Sequence, residues 1–180
     1  IGVRLPKEKI LDALPRLVAA LAPAPEAAAE AILTTDTRMK LASRTISLNR
    51  KQVTLSAICK GSGMIAPQLA TMIAVVSTDA AISPPMLQQA LTASMDGSFN
   101  NLTVDNDMST NDVVFALANG LAGNTPITDP GADYEKFRAA LASLCQELAR
   151  EIAADGEGAT KLLEVKVSGA PNPKMAADLA

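Results

Sequence analysis

The residues that could do chemistry gather in one stretch, Cys59-Lys60-Gly61-Ser62-Gly63-Met64-Ile65-Ala66-Pro67-Gln68-Leu69-Ala70-Thr71-Met72. A Gly/Ser-rich turn carries one lysine, and a proline-containing segment follows. The Ala70-Thr71 step then opens an apolar, β-branched run at residues 72–76, closed by Ser77-Thr78-Asp79. Loop, small residue, hydroxyl residue and buried strand is the order a self-cleaving precursor needs if Thr71 is to become a new N-terminus. Thr71 would then carry a hydroxyl nucleophile and, on the same residue, an α-amino group to act as its base. A threonine hydroxyl is too weakly acidic to attack an amide unaided. An α-amino group, with an ordinary pKa of about 7.7–8.0, is partly neutral near pH 7.5 and can take the hydroxyl proton. The same residues also fit a flexible turn ahead of a strand-initiating threonine, and taken alone they leave both readings open.

Composition removes most other chemistries. The chain has no histidine, which excludes Ser-His-Asp and Cys-His catalysis within it and any zinc site with histidine ligands. Cys59 and Cys145 stand far apart without metal-ligand spacing, so reduced thiols are expected and no metal site. Aromatic residues make up 2% of the chain and tryptophan is absent, so the core must be built from Ala, Leu, Ile, Val and Met. That scarcity, with a formal net charge of -3, gives neither stacking platforms nor a basic surplus for nucleic acid. No apolar run approaches the roughly 20 residues that span a bilayer, and no signal peptide is visible. A cytoplasmic protein, bound to neither membrane nor nucleic acid, is the expectation.

Several elements must position the stretch. An apolar stripe through Ile10, Leu11, Leu14, Leu17, Val18 and Leu21 predicts helix, broken at Pro15 into a short turn and a second helix starting there. A short alanine-rich helix over 26–30 and a strand over 31–35 follow, then a loop over 36–42. Alternating β-branched runs at 43–49 and 52–58, with Asn49-Arg50-Lys51 between them, predict a hairpin that delivers the chain to Lys60. Residues 72–76 read as a strand buried on both faces. Pro84-Pro85 starts a helix running to about residue 95, residues 100–104 read as a strand, and 113–117 as helix or strand. Residues 123–131 form an exposed connector. The longest helix covers 133–154, burying Phe137, Leu141, Leu144, Cys145, Leu148 and Ile152, with Cys145 as a core filler. A strand at 162–168 and a helix from Pro171 close the chain. With 180 residues, one domain with its own core is expected. Interleaved helices and strands without a clean βαβ period predict a mixed α/β fold.

The segment Lys60-Gly61-Ser62-Gly63-Met64-Ile65-Ala66-Pro67-Gln68-Leu69-Ala70-Thr71-Met72 resembles the cleavage and nucleophile segment of the ornithine acetyltransferase (glutamate N-acetyltransferase) family. Further blocks follow in that family's order: Ile32-Leu33-Thr34-Thr35-Asp36-Thr37, Thr103-Val104-Asp105, Ser109-Thr110-Asn111-Asp112 and Asp155-Gly156-Glu157-Gly158-Ala159-Thr160-Lys161. The resemblance implies a layered mixed-sheet α/β sandwich flanked by helices. It implies that residues 1–180 are the central domain of a longer precursor cut between Ala70 and Thr71, with 1–70 ending an α chain and 71–180 starting a β chain. It makes Thr71 the nucleophile of a ping-pong acetyl transfer from N2-acetyl-L-ornithine to L-glutamate in arginine biosynthesis.

By the same resemblance Lys60 and Thr34 contact substrate, with Thr35 and Asp36 open as alternatives to Thr34. Physically, Lys60 suits an α-carboxylate or favours the neutral form of a nearby amine. Glu157 belongs to the site by resemblance and suits the ammonium of ornithine. From the residues alone, Gly156 reads as a helix C-cap and Ser109 to Asp112 as an N-cap cluster for a following helix. The resemblance further implies no bound cofactor, with acetyl-CoA open as an alternative acetyl donor, and paired α and β chains as a heterotetramer or larger. It sets the oxyanion-hole pair, a Thr-Gly or Thr-Thr step, ahead of Ile1, and the remaining substrate contacts beyond Ala180. Gln68-Leu69 departs from the Asn-Met often found before the Ala-Thr step. Two alternatives stand beside the transferase: a related self-processing N-terminal-threonine amidase or aminopeptidase, with water as acceptor, and a non-catalytic structural domain.

Overall fold

A computed structural model describes residues 2–66, 71–172 and 175–176. Its centre is a four-stranded mixed sheet in the order β1-β2-β3-β4. Strands β1 (Lys40–Leu48) and β2 (Lys51–Lys60) form the expected hairpin, pairing antiparallel from Lys40 opposite Cys59 to Leu48 opposite Lys51. The turn is tight because Asn49 and Arg50 both take positive φ, 47° and 64°, the two-residue geometry that matches strand twist. Strand β3 (Ile73–Thr78) runs antiparallel to β2, and β4 (Val113–Ala118) lies parallel to β3, with Ile73 opposite Val113. The parallel pair needs a crossover, supplied by α3 (Pro84–Met95) and the short 3-10 turn Phe99–Asn101. Two prolines at the start of α3 cost nothing, since those amides have no helical partner.

Helix α4 (Ala132–Ala154) closes one face of the sheet. Its stripe of Phe137, Leu141, Leu144, Cys145, Leu148 and Ile152 is fully buried, as its spacing predicts. It packs on Ala42, Leu55, Ala57, Cys59, Ala74 and Val76, the alternate residues of β1, β2 and β3, to form one core with Ala90 and Leu91 of α3. Both cysteines are free and buried there, and burial pushes each thiol up to about 12, so neither is a nucleophile. The mixed α/β class and the helix-flanked sheet agree with the sequence. Among the described residues no helix is long and apolar enough to cross a membrane.

Several elements differ from expectation. The first helix, α1 (Lys7–Ala19), runs unbroken through Pro15. None of its residues is buried, so the carbonyl that loses its partner at Pro15 sits on an exposed helix where water can serve it. After α2 (Glu26–Ala31) there is no strand over 31–35; the chain turns, and its polar groups serve the site below. The β3 run is not buried on both faces. Ala74 and Val76 are enclosed while Ile73 and Ser77 are exposed, because helices cover only one side. Residues 100–104 form the 3-10 turn and a loop, and 162–168 an exposed irregular segment instead of a strand, since no sheet edge receives them. The 123–131 connector is anchored, with Asn124 and Ile127 buried and Ile82 bridged to Ile127. Most of the expected C-terminal helix, 173–174 and 177–180, lies outside the described residues.

Leu144 has no exposed surface at the centre of the core. Leu144→Ala should cost about 2–5 kcal/mol, read as a lower urea midpoint at unchanged slope. A loss under about 1 kcal/mol would mean that α4 does not carry the core.

Candidate functional site

The site forms where β2 leaves the sheet and β3 re-enters it. Lys60 is the last residue of β2, and Gly61-Ser62-Gly63 turns the chain back toward Thr71, just before β3. Gly61 lies against the Thr71–Met72 backbone, where an added Cβ would stand 3.2 Å from the Thr71 carbonyl oxygen and 3.3 Å from Met72 Cβ. A glycine here lets two backbone segments touch, which a plain turn does not require.

A buried ion network fixes this turn. The Lys40 side chain is fully enclosed, and its Nζ reaches Asp36 Oδ1 at 2.7 Å and Asp155 Oδ2 at 2.6 Å. Asp36 Oδ1 also accepts the Gly61 amide at 2.6 Å, and its Oδ2 accepts the Thr34 amide at 3.3 Å. Asp155 accepts the Thr37 amide at 3.0 Å and the Thr37 hydroxyl. One ammonium thus ties the 34–37 turns, the end of α4 and the glycine loop together. Burial raises the Asp36 carboxyl, but the Lys40 ammonium and the Gly61 and Thr34 amides outweigh it and hold it below its ordinary value. Burial likewise raises Asp155, and Lys40 with the Thr37 hydroxyl and amide brings it below the ordinary value. Asp155 is the C-cap of α4, where a negative charge opposes the helix dipole, so the lysine offsets a second cost as well.

The sequence-expected residues come together around that frame. Lys60 is 8% exposed and its Nζ donates to Thr34 Oγ1 at 2.8 Å. The neighbouring Thr35 hydroxyl instead pairs with Ser62 Oγ at 2.7 Å, and Asp36 is committed to the ion network, so Thr34 is the one of the three that meets Lys60. The Glu157 amide donates to the Ser62 carbonyl at 2.7 Å. Its carboxylate covers Gly63 so closely that a Cβ there would fall 2.7–2.9 Å from it. Gly156 is not the C-cap, which is Asp155. It is small because Val104 Cγ1 would stand 2.9 Å from a Cβ at that position. Ala70 lies outside the described residues.

Two further carboxylates shape the backbone at Thr71. Asp105 accepts the Met64 amide at 2.6 Å and the Ile65 amide at 2.9 Å, stabilising Met64 at a φ of 56°. Burial raises the Asp105 carboxyl, but the amides of Asp107, Ile65 and Met64 hold it below its ordinary value. The Met64 carbonyl so placed accepts the Thr71 amide at 2.7 Å. Asp112 accepts the Met72 amide at 2.8 Å. Residues 109–112 are therefore not an N-cap cluster, since β4 and no helix follows them; Asp112 reaches sideways to β3. The side-chain oxygens Thr71 Oγ1 and Asp112 Oδ2 are buried and have no hydrogen-bond partner among the described residues.

Sequence reading missed Lys40, Asp155 and Asp112 as determinants. A lysine opening a strand and an aspartate ending a helix look solvated until their sequence separation of 115 residues is closed by the fold. Asp36 was named as an alternative to Thr34, and Asp112 and Asp155 shared with it the one legible signal, an acid within a family-like block.

The model of the ArgJ family matches residues 1–180. An arginine biosynthesis bifunctional protein ArgJ of Geobacillus stearothermophilus is 49% identical over the whole chain, which covers 44% of that protein. One of Symbiobacterium thermophilum is 52% identical over 94% of the chain and 42% of its own length. The chain thus spans less than half the length of the curated relatives it matches. Among solved structures, a Pyrococcus horikoshii OT3 protein is a loose likeness, with a TM-score of 0.46 and 14% identity over 66% of this chain and 40% of its own.

Lys40→Met leaves two enclosed carboxylates without their cation, and should cost about 3–5 kcal/mol at neutral pH. In the wild type the lowered Asp36 and Asp155 carboxyls mean that the unfolded chain binds more protons in acid. Stability should therefore hold above the ordinary carboxyl value of 3.8 and fall as pH drops below it. Thermal unfolding from pH 6 to pH 3 reads both effects. A Lys40→Met protein as stable as wild type would remove the network from this role.

Proposed function

The chain belongs to the ArgJ family, the ornithine acetyltransferases, and on that premise we propose how this segment serves the whole protein. The full polypeptide cuts itself between Ala70 and Thr71, and the freed Thr71 carries an acetyl group from N2-acetyl-L-ornithine to L-glutamate. The observation that supports this best is that Lys60 with its partner Thr34, and Glu157, gather on the Gly61-Ser62-Gly63 loop, whose Gly61 lies against the Thr71 backbone, from stretches as distant in sequence as Thr34 and Glu157.

Each residue has a role that its setting suits. The Thr71 nitrogen, an amide in the uncut chain, becomes an amine. Its hydrogen bond to the Met64 carbonyl then directs one N–H away and leaves the lone pair for the hydroxyl proton. The hydroxyl attacks the acetyl carbonyl, ornithine departs with the returned proton, and glutamate's amine attacks the acetyl-threonine in the second half-cycle. Lys60, enclosed and directed by Thr34, is a fixed cation for an α-carboxylate. Glu157, at the exposed rim over Gly63, is a fixed anion for the ammonium of ornithine. No cofactor is required for this cycle, and acetyl-CoA remains open as an alternative donor. The two halves of the precursor stay together as α and β chains of an α2β2 or larger assembly in the cytoplasm.

Three outcomes follow. Thr71→Ala in the full-length protein should remain one chain by intact mass, and two fragments would remove Thr71 as the processing nucleophile. Lys60→Ala and Glu157→Ala should mainly raise KM, by about tenfold to a hundredfold for a lost charge-assisted bond of roughly 1.5–3 kcal/mol. A fully processed Glu157→Ala with wild-type constants for both substrates would reduce Glu157 to a loop residue. Activity should fall in mild acid as the Thr71 amine protonates, and a rate flat from about pH 5 to 9 would contradict an amine base.

A further inference from the structure

The cut that frees the Thr71 amine cannot itself use that amine. Before cleavage the Thr71 nitrogen is an amide, its hydrogen donated to the Met64 carbonyl at 2.7 Å, and it has no basic lone pair. The chain holds no histidine to stand in. Self-processing therefore needs a different proton acceptor beside the Thr71 hydroxyl.

We propose that Asp112 is the acid–base residue of the self-processing step, taking the Thr71 hydroxyl proton through its free carboxylate oxygen. Its Oδ1 is held by the Met72 amide at 2.8 Å, which fixes the carboxylate against the peptide unit that follows Thr71. Its Oδ2 and Thr71 Oγ1 are both enclosed, flank that peptide unit, and are the two buried side-chain polar atoms without a partner among the described residues. Buried acceptors and hydroxyls are nearly always satisfied, so two orphans at one peptide unit need a reason. They are not bonded to each other in this structure, and the proton crosses once the Thr71 hydroxyl turns toward Oδ2 or through one bridging water. Burial raises the Asp112 carboxyl above its ordinary value, against the pull of the Met72 amide and the Lys60 charge, which makes it a stronger base than a solvated carboxylate.

The step balances as an acyl shift followed by hydrolysis. Thr71 Oγ bonds to the carbonyl carbon of residue 70 while its proton passes to Asp112. The carbon–nitrogen bond breaks, and Asp112 returns the proton to the departing Thr71 nitrogen, which becomes the amine. Water then cleaves the ester, its hydroxyl going to the acyl carbon and its hydrogen to Thr71 Oγ. After the cut the amine takes over as base, so Asp112 serves the step that the mature nucleophile cannot.

This inference rests on self-processing at Thr71, and the test separates the two. Full-length wild type, Thr71→Ala, Asp112→Asn and Asp112→Glu are purified, and uncut chain is followed over time by intact mass alongside thermal unfolding. Asp112→Asn keeps an acceptor for the Met72 amide and loses the base. It should fold with a near wild-type midpoint and cut at least about a hundredfold more slowly, in line with general-base catalysis. Asp112→Glu should recover part of the rate. Asp112→Asn cutting within about threefold of wild type, on the same scale, overturns the assignment while leaving Thr71→Ala uncut. An Asp112→Asn that fails to fold, or an Asp112→Glu that folds and cuts no faster, assigns the residue to holding Met72 and also overturns it. Cutting in Thr71→Ala overturns the underlying reading instead.

Discussion

The site depends on one buried ammonium. Lys40 enters the first strand of the sheet, and its Nζ is sealed between Asp36 and Asp155 with no solvent access. Two carboxylates and one ammonium in a dry space are unfavourable unless every donor and acceptor is used. Here Asp36 takes the Gly61 and Thr34 amides as well, and Asp155 takes Thr37. The backbone groups that complete the network belong to the turns that position Lys60 and Thr34. The fold therefore cannot satisfy its buried charge without also shaping the glycine loop, and structural and functional demands fall on the same atoms.

The same device recurs on the other side of Thr71. Asp105 gathers the Met64 and Ile65 amides, and Asp112 gathers the Met72 amide. A loop that leaves one strand and returns to the next has many amides with no ladder partner, and buried amides must find one. Carboxylates from the 103–112 segment supply it at fixed positions. Met64, Ile65, Thr71 and Met72 are thereby held by named hydrogen bonds where no sheet ladder serves them.

Much of the scaffold was legible because it follows period rules. The hairpin turn at Asn49-Arg50, the proline-started α3 and the α4 stripe from Phe137 to Ile152 obey local chemistry and one-sided burial. The reading failed where a tertiary partner decides. Residues 31–35 and 162–168 have strand-like composition but no edge to pair with, and Pro15 sits in a helix that no packing strains. Of the site, Lys60, Thr34, Thr71 and Glu157 were readable through family-like blocks. Lys40 was not, and Asp155, although it opens the block that holds Glu157, gave no sign of its ion pair, since nothing local distinguishes a buried charge from a solvated one. Asp112 was misread because an Asp before an apolar run looks the same ahead of a helix and ahead of a strand.

The central claim is that Thr71 carries the acyl group, and trapping the carrier tests it most directly. Full-length processed protein is mixed with N2-acetyl-L-ornithine in the absence of glutamate, quenched in acid, and the fragment beginning at Thr71 is weighed and sequenced by mass. The account predicts a fragment heavier by one acetyl group, located on Thr71, that returns to its original mass when glutamate is added. Ornithine released in a burst while the Thr71 fragment stays unmodified would contradict it.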